Sequence, residues 1–267
     1  MGQTSPKKKQ GIQHEMYCQV CSGKIVLFQK QNRLKQTRHL INTIKFTPMD
    51  FTNTTGVFSP DGRLYQVEYA QRASEQGSPV CANIFEDKIY VFYENRQTSP
   101  LQIPEDKIRS FGKNMWGIFS GIRADSYRVE SQCINEVFNH KLNTAVDMQL
   151  KLLAGKIGAM KQKYTVKSGY RPIGLKTMLF GFEEKAHIFV VEADGNYAEY
   201  DQCSVGHSAE KAWESFGENT RFSSLRALLS VVQHSQSTLK GYVFEKDADA
   251  KEIENYVIAE EINKFIQ

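Results

Sequence analysis

Apolar residues along this chain switch repeatedly between a period near three and a half and a period of two. Leu64, Val67, Ala70 and Ala73 fall three apart, which predicts a helix over residues 63–76 ended by Gly77. Ahead of it, Ser59-Pro60-Asp61-Gly62 is turn chemistry, because proline pre-sets φ and glycine accepts positive φ. Residues 78–85 and 88–93 then read as a hairpin turned by Glu86-Asp87, with residues 107–111 and 115–120 as the third and fourth strands of the same sheet. Val129, Cys133 and Val137, then Leu150, Leu153, Ile157 and Met160, mark two amphipathic helices. Strand patterning returns at 176–182, 187–192 and 197–203. Helical spacing resumes around Ala212 and Leu225, and a short strand near Tyr242 precedes a terminal helix. Hairpins with helices inserted in pairs predict an α+β fold: two stacked antiparallel sheets with a helical layer outside each, a four-layer αββα sandwich.

Composition narrows the classes. With 267 residues, 40% hydrophobic and 24% charged, the chain is neither disordered nor collagenous. Its longest apolar run, residues 89–93, is far short of the roughly 18 residues that suggest a membrane helix. The five cysteines are odd in number and scattered, which fits reduced thiols and no disulfide framework. The first fifty residues hold nine Lys or Arg against Glu15 and Asp50, an excess of seven, so the other 217 residues are three charges acidic. The basic character therefore belongs to one end, and the body gives no reason to expect specific nucleic-acid binding. Within that end, Lys7-Lys8-Lys9 resembles a nuclear-import patch. Cys18 and Cys21 form half a zinc motif, with only His14 and His39 to complete it, so no metal and no cofactor is expected. Residues 1–48 read as a basic extension, disordered or a start-site artefact ahead of Met49.

The stretch FSPDGRLYQVEYA, residues 58–70, resembles the N-terminal signature of the α-class subunits of the 20S proteasome. Ser120-Gly121-Ile122-Arg123-Ala124-Asp125 and Tyr170-Arg171-Pro172-Ile173-Gly174 resemble two further motifs of that family, so the likeness covers residues 49–267. The resemblance implies the N-terminal-nucleophile hydrolase fold and a non-catalytic member of a seven-membered outer ring. Such a subunit gates access, docks regulators and serves ubiquitin- and ATP-dependent protein degradation in cytoplasm and nucleus. Its implied partners are neighbouring α subunits, β-ring subunits and the C-termini of a regulatory particle or activator. Phe51, Gln76-Gly77 and Val146-Asp147-Met148 look most like the first ring position of eukaryotes.

The alternative is a β-class threonine protease. Where its freed N-terminal threonine would lie, this chain has Gly77-Ser78-Pro79, an internal serine. Glu94 and Lys107 stand where the hydrolytic branch keeps its acid and lysine. Without a nucleophile they make no active site, and Glu94 reads as an exposed residue at a strand end. By resemblance Lys107 lies in the pocket that takes an activator's C-terminal carboxylate, against the plainer reading of a surface lysine. Family members carry Tyr-Asp-Arg before Phe-Ser-Pro, and the Tyr and Asp join the turn Pro and helix Tyr in a gate cluster. Here Phe51-Thr52-Asn53 replaces it while Pro60 and Tyr69 remain, so the cluster lacks its charge-assisted hydrogen bond.

Overall fold

The computed structural model describes residues 19–21, 24–26, 52–96, 99, 101, 103, 105–232 and 239–266. The chain divides into two units, Met1–Met49 and Asp50–Gln267. In the first, β1 (Gln19–Cys21) pairs antiparallel with β2 (Lys24–Val26). Residues 7–9, His14, Cys18, His39 and Phe51, each singled out by the sequence, lie outside the described residues.

The second unit opens with the expected turn. Ser59 O accepts a hydrogen bond from Gly62 N at 2.9 Å, Gly62 takes a φ of 75°, and Ser59 Oγ accepts from Arg63 N at 3.1 Å. Helix α1 (Tyr65–Glu75) follows and buries Val67 and Ala70 against strands β6 (Met115–Gly121) and β7 (Leu175–Phe182). The β3 (Val80–Phe85) to β4 (Lys88–Glu94) hairpin turns at Glu86 and Asp87, both at positive φ, the tight geometry whose twist matches the strands it joins.

Two five-stranded sheets form, ordered β10-β3-β4-β11-β12 and β5-β6-β7-β8-β9. Here β5 is Arg109–Gly112, β8 Ala186–Val191, β9 Tyr197–Glu199, β10 Gln202–Val205, β11 Leu239–Phe244 and β12 Lys251–Glu252. Two expectations are corrected. Strands β5 and β6 do not extend the β3–β4 hairpin: β11 occupies the free edge of β4, while β6 pairs with β7 from Met115↔Gly181 to Gly121↔Leu175. The strand expected over 197–203 is two strands in different sheets. At its middle Tyr200 N donates to Ile188 O, and Asp201 O accepts from Ile84 N, both at 2.9 Å, so the chain steps between sheets without breaking its alternation.

The four layers are as expected. Val91, Ile118, Met178, Phe180 and Phe244 fill the space between the sheets. Helices α2 (Arg123–Thr144) and α3 (Leu150–Val166) cover one outer face through Val129, Cys133, Leu153 and Ile157. Helices α4 (Ala209–Ser215), α5 (Ser223–Leu229) and α6 (Asn255–Ile266) cover the other through Ala212, Leu225, Leu228 and Ile258. Among the buried polar side chains is a lysine. Lys161 on α3 has no exposed surface, and its Nζ donates to Leu175 O and Val191 O, both at 2.8 Å, tying together adjacent ends of β7 and β8. Burial pushes its amine down to about 7, against the pull of Glu192. No described helix is long and apolar enough to cross a membrane.

Candidate functional site

The end of α1, the start of β3 and the end of β6 meet at Gly77 and Ser78. Gly77 N donates back to Ser74 O at 3.2 Å, and Gly77 O accepts from His207 N at 2.8 Å. A Cβ on Gly77 would stand 2.2 Å from Gly121 N and 2.3 Å from Ser120 Oγ, so only glycine lets the two segments approach this closely. Ser120 Oγ donates to Ser78 O at 2.9 Å. The Gly77–Ser78 peptide is thus held from both sides. Pro79, lacking an N–H, delays the ladder, so β3 starts at Val80 rather than at Ser78.

Lys107 lies just before β5 and points back into this corner. Its Nζ donates to Ser78 Oγ at 2.8 Å and to the carbonyl of Glu94, and it stands 5.7 Å from the centre of the Tyr93 ring. Burial lowers its pKa to about 8; the charge of Glu94 opposes that shift, and Arg123 and Arg96 add to it. Glu94 is not the exposed strand-end residue that the sequence suggested. It is 7% exposed, since β4 runs through the middle of its sheet and carries the residue under the Lys107 loop. Arg96 Nε lies 2.6 Å from Glu94 Oε2 but out of line for a hydrogen bond.

A cavity of about 210 Å³ opens above this group, lined by Ser78, Lys107, Phe119 and Gly121 at the floor and by Arg96 and Arg123 at the mouth. Glu105 pairs with both Arg109 and Arg123 at the rim, and these two partners lower its pKa. Sequence reasoning missed Arg96 and Arg123 as lining residues. Arg123 sits inside the quoted Ser-Gly-x-x-Ala-Asp motif, and Arg96 is two residues past Glu94, but only the fold aims both at one cavity. The same motif places Asp125, whose carboxylate accepts both Arg171 guanidinium nitrogens at 2.7 Å and Gly174 N at 3.1 Å, joining the two distant motifs of the chain.

The other named residues lie on α1 or in the segment leading to it. Thr52 O accepts from Gln66 Nε2, Pro60 is exposed in the turn, and Tyr69 is half-exposed with its ring stacked 6.4 Å from that of Tyr65. Arg63, just ahead of α1, pairs with Glu68 on its first turn. Among the described residues no group of three His, Cys, Asp or Glu is placed to hold a metal.

Chemically, the corner holds a hydroxyl, a lysine and a buried carboxylate, but Ser78 nitrogen is an amide. An N-terminal nucleophile uses its own amine as base, and here the residue preceding Ser78 is packed against Gly121 and Ser120 at the end of α1. What the cavity offers is a cationic recess. A four-layer sandwich with this corner and a short leading helix defines the N-terminal-nucleophile hydrolase type of fold. The family model described as "Proteasome subunit" matches residues 74–258, and the model of the N-terminal signature of A-type proteasome subunits matches residues 51–73. The chain belongs to the proteasome subunit family and is of the α type; the β-class alternative is not favoured. It is 31% identical over 76% of its length to the alpha type-7-1 proteasome subunit of Drosophila melanogaster, covering 88% of that protein. It is 27% identical to the alpha type-7 proteasome subunit of Dictyostelium discoideum, over 79% of this chain and 91% of that one. With the alpha proteasome subunit of Thermococcus sibiricus it shares 32% identity over 62% of this chain and 64% of the other.

Proposed function

We propose that this chain is a non-catalytic α-ring subunit of the 20S proteasome core particle, assembling with other α subunits and with β subunits to form a gated outer ring. The observation that carries the reading is the match of residues 51–73 to the A-type N-terminal signature, supported by α1 packing directly against the corner, where Gly77 leaves no room for a side chain and Ser78 rather than a threonine follows it. Tested in the assembled complex, Ser78→Ala leaves peptide hydrolysis unchanged. A loss of one of the complex's peptidase activities on that substitution overturns the non-catalytic assignment.

Within that reading the cavity above Lys107 takes the C-terminal carboxylate of a regulator, the Lys107 ammonium meeting it and Arg96 and Arg123 supplying the surrounding positive field. The segment leading to Ser59 belongs to the gate, and Phe51-Thr52-Asn53 alters how it is held. The compact unit begins at Asp50 and the family signature at residue 51, which supports residues 49–267 as the α-type domain. Phe51, Gln76-Gly77 and Val146-Asp147-Met148 support a place like that of the first ring position, whereas the Drosophila and Dictyostelium relatives bear type-7 names. Cross-links to the two ring neighbours decide between them. Cytoplasm and nucleus are the proposed compartments, supported by the unpaired, buried thiols of Cys81, Cys133 and Cys203, and fractionation of cells checks this.

A further inference from the structure

Residues 52–58 run ahead of the Ser59 turn as a strap over the body of the second unit. The downstream end of the strap is fixed. Ser59 is buried, and its N donates to Arg63 O at 2.9 Å. The strap itself hides little apolar surface, with Val57 38% and Phe58 65% exposed, so hydrophobic packing contributes little to its course. Two contacts tie it down. Gln66 Nε2, on the first turn of α1, donates to Thr52 O. Gly56 takes a φ of 77° and lies against Val166, the last residue of α3.

The seat at Val166 fits a glycine and nothing larger. A Cβ on residue 56 would stand 2.7 Å from Val166 O and 3.2 Å from Val166 C and Cα, all backbone atoms that cannot turn aside. The glycine hydrogen that takes its place points at the carbonyl oxygen, a weak C–H···O contact. The helix does not use that oxygen. Lys167 turns to a ψ of 119°, which ends α3, and Tyr170 N donates to Lys167 O at 3.3 Å rather than to Val166 O four residues before it. The end of one helix and the start of another thus hold opposite ends of the strap.

Resting on the reading of this chain as a gated ring subunit, we propose that Gly56 and Gln66 are positioning residues for the gate. By seating residues 52–58 on the end of α3 and the start of α1, they set the direction in which the chain ahead of Thr52 leaves the body. Closing a pore requires a segment held to one course. A segment released from its seat spreads over many, and the fraction of time for which it blocks the opening falls. Seven extended residues span up to about 23 Å, so unseating the strap while Ser59 stays fixed moves its far end by more than the width of a helix. Contacts this weak suit a part that has to move.

Hydrolysis of a long fluorogenic peptide by the intact high-mass complex, measured without added regulator, tests this together with hydrogen exchange read by mass spectrometry. Gly56→Ala drives a Cβ into Val166 O. Gln66→Glu keeps the side-chain shape and places an acid favourably at a helix start, while removing the donor to Thr52 O. Each variant is expected to exchange faster over residues 53–58 and to raise hydrolysis about threefold, with slow exchange kept in β6 and β7 as the sign of an intact fold. If Gly56→Ala does not fold, Gln66→Glu carries the test by itself. Variants that enter the complex, exchange faster over residues 53–58 and hydrolyse at the wild-type rate overturn the positioning proposal alone, as does unchanged exchange over those residues in both. A wild-type chain missing from the high-mass complex contradicts the ring reading, and the positioning proposal falls with it.

Discussion

Lys107 Nζ stands 2.8 Å from Ser78 Oγ, so its charge is held at the lining of the cavity rather than extended into solvent. On the proposed reading of the cavity as a recess for a carboxylate, its charge depends on pH in a definite direction. Lys107 is an ammonium below about 8 and an amine above it. Binding of a peptide ending in a free carboxylate is therefore expected to weaken about tenfold between roughly pH 7 and pH 9. Fluorescence anisotropy of such a peptide on the assembled complex measures it. Affinity that stays flat across that range, or that survives Lys107→Ala, places the anion elsewhere.

Stability should rise with alkalinity because of Lys161. Its amine titrates at about 7 in the folded chain and near its ordinary value of 10.5 when unfolded. Between those values the unfolded state binds the extra proton, so unfolding free energy increases with pH across that window and levels off below it. Lys107 adds a similar rise that starts at about 8. Urea unfolding across the range is expected to show the slope, and Lys161→Met to remove the part that begins near 7. The methionine variant leaves Leu175 O and Val191 O without their donor, so its stability at the alkaline end is expected to fall below wild type by about 1–3 kcal/mol.

Two glycines should respond very differently to alanine. Gly77→Ala drives a Cβ into the backbone of Gly121 and is expected to cost about 3 kcal/mol or more, enough to prevent recovery of folded chain. Gly62 has open space around it but a φ of 75°, so Gly62→Ala costs only about 1 kcal/mol of backbone strain. Thermal melts of the two variants, side by side, check the ranking.

The Asp125–Arg171 pair should hold the start of α2 to the segment leading into β7 until acid protonates it. Burial alone would raise the Asp125 pKa, but the hydrogen bonds from Arg171 and Gly174 N outweigh it and hold the carboxyl below its ordinary value near 3.8. Its contribution is present above that value and is lost as pH falls below it. Asp125→Ala is expected to destabilise by about 2 kcal/mol near neutral pH, with the difference closing in strong acid.

Local order was legible in the sequence where the signal was local. The Ser59–Gly62 turn, α1, the Glu86-Asp87 hairpin and the α2–α3 pair all stand within a few residues of where period and turn chemistry put them. Pairing between distant segments was not legible. Nothing in residues 107–120 says that they join β7 rather than β4, because that choice is made by β11, far along the chain, taking the β4 edge. The sheet change at Tyr200-Asp201 is hidden because both halves keep the same alternation. Glu94 looked like an exposed end residue because a single glutamate after an apolar run carries no information about the loop that covers it. Lys161 was invisible for the opposite reason: three neighbouring lysines on α3 disguise the one turned inward.

That this chain is an uncut α-type ring subunit is tested most directly by native and N-terminal mass analysis of the high-mass complex that contains it. The chain is expected in the complex beside other α and β subunits, with the Gly77–Ser78 peptide intact and the α1 helix still attached. A chain whose N terminus is Ser78, or one recovered only as a free monomer, would contradict it.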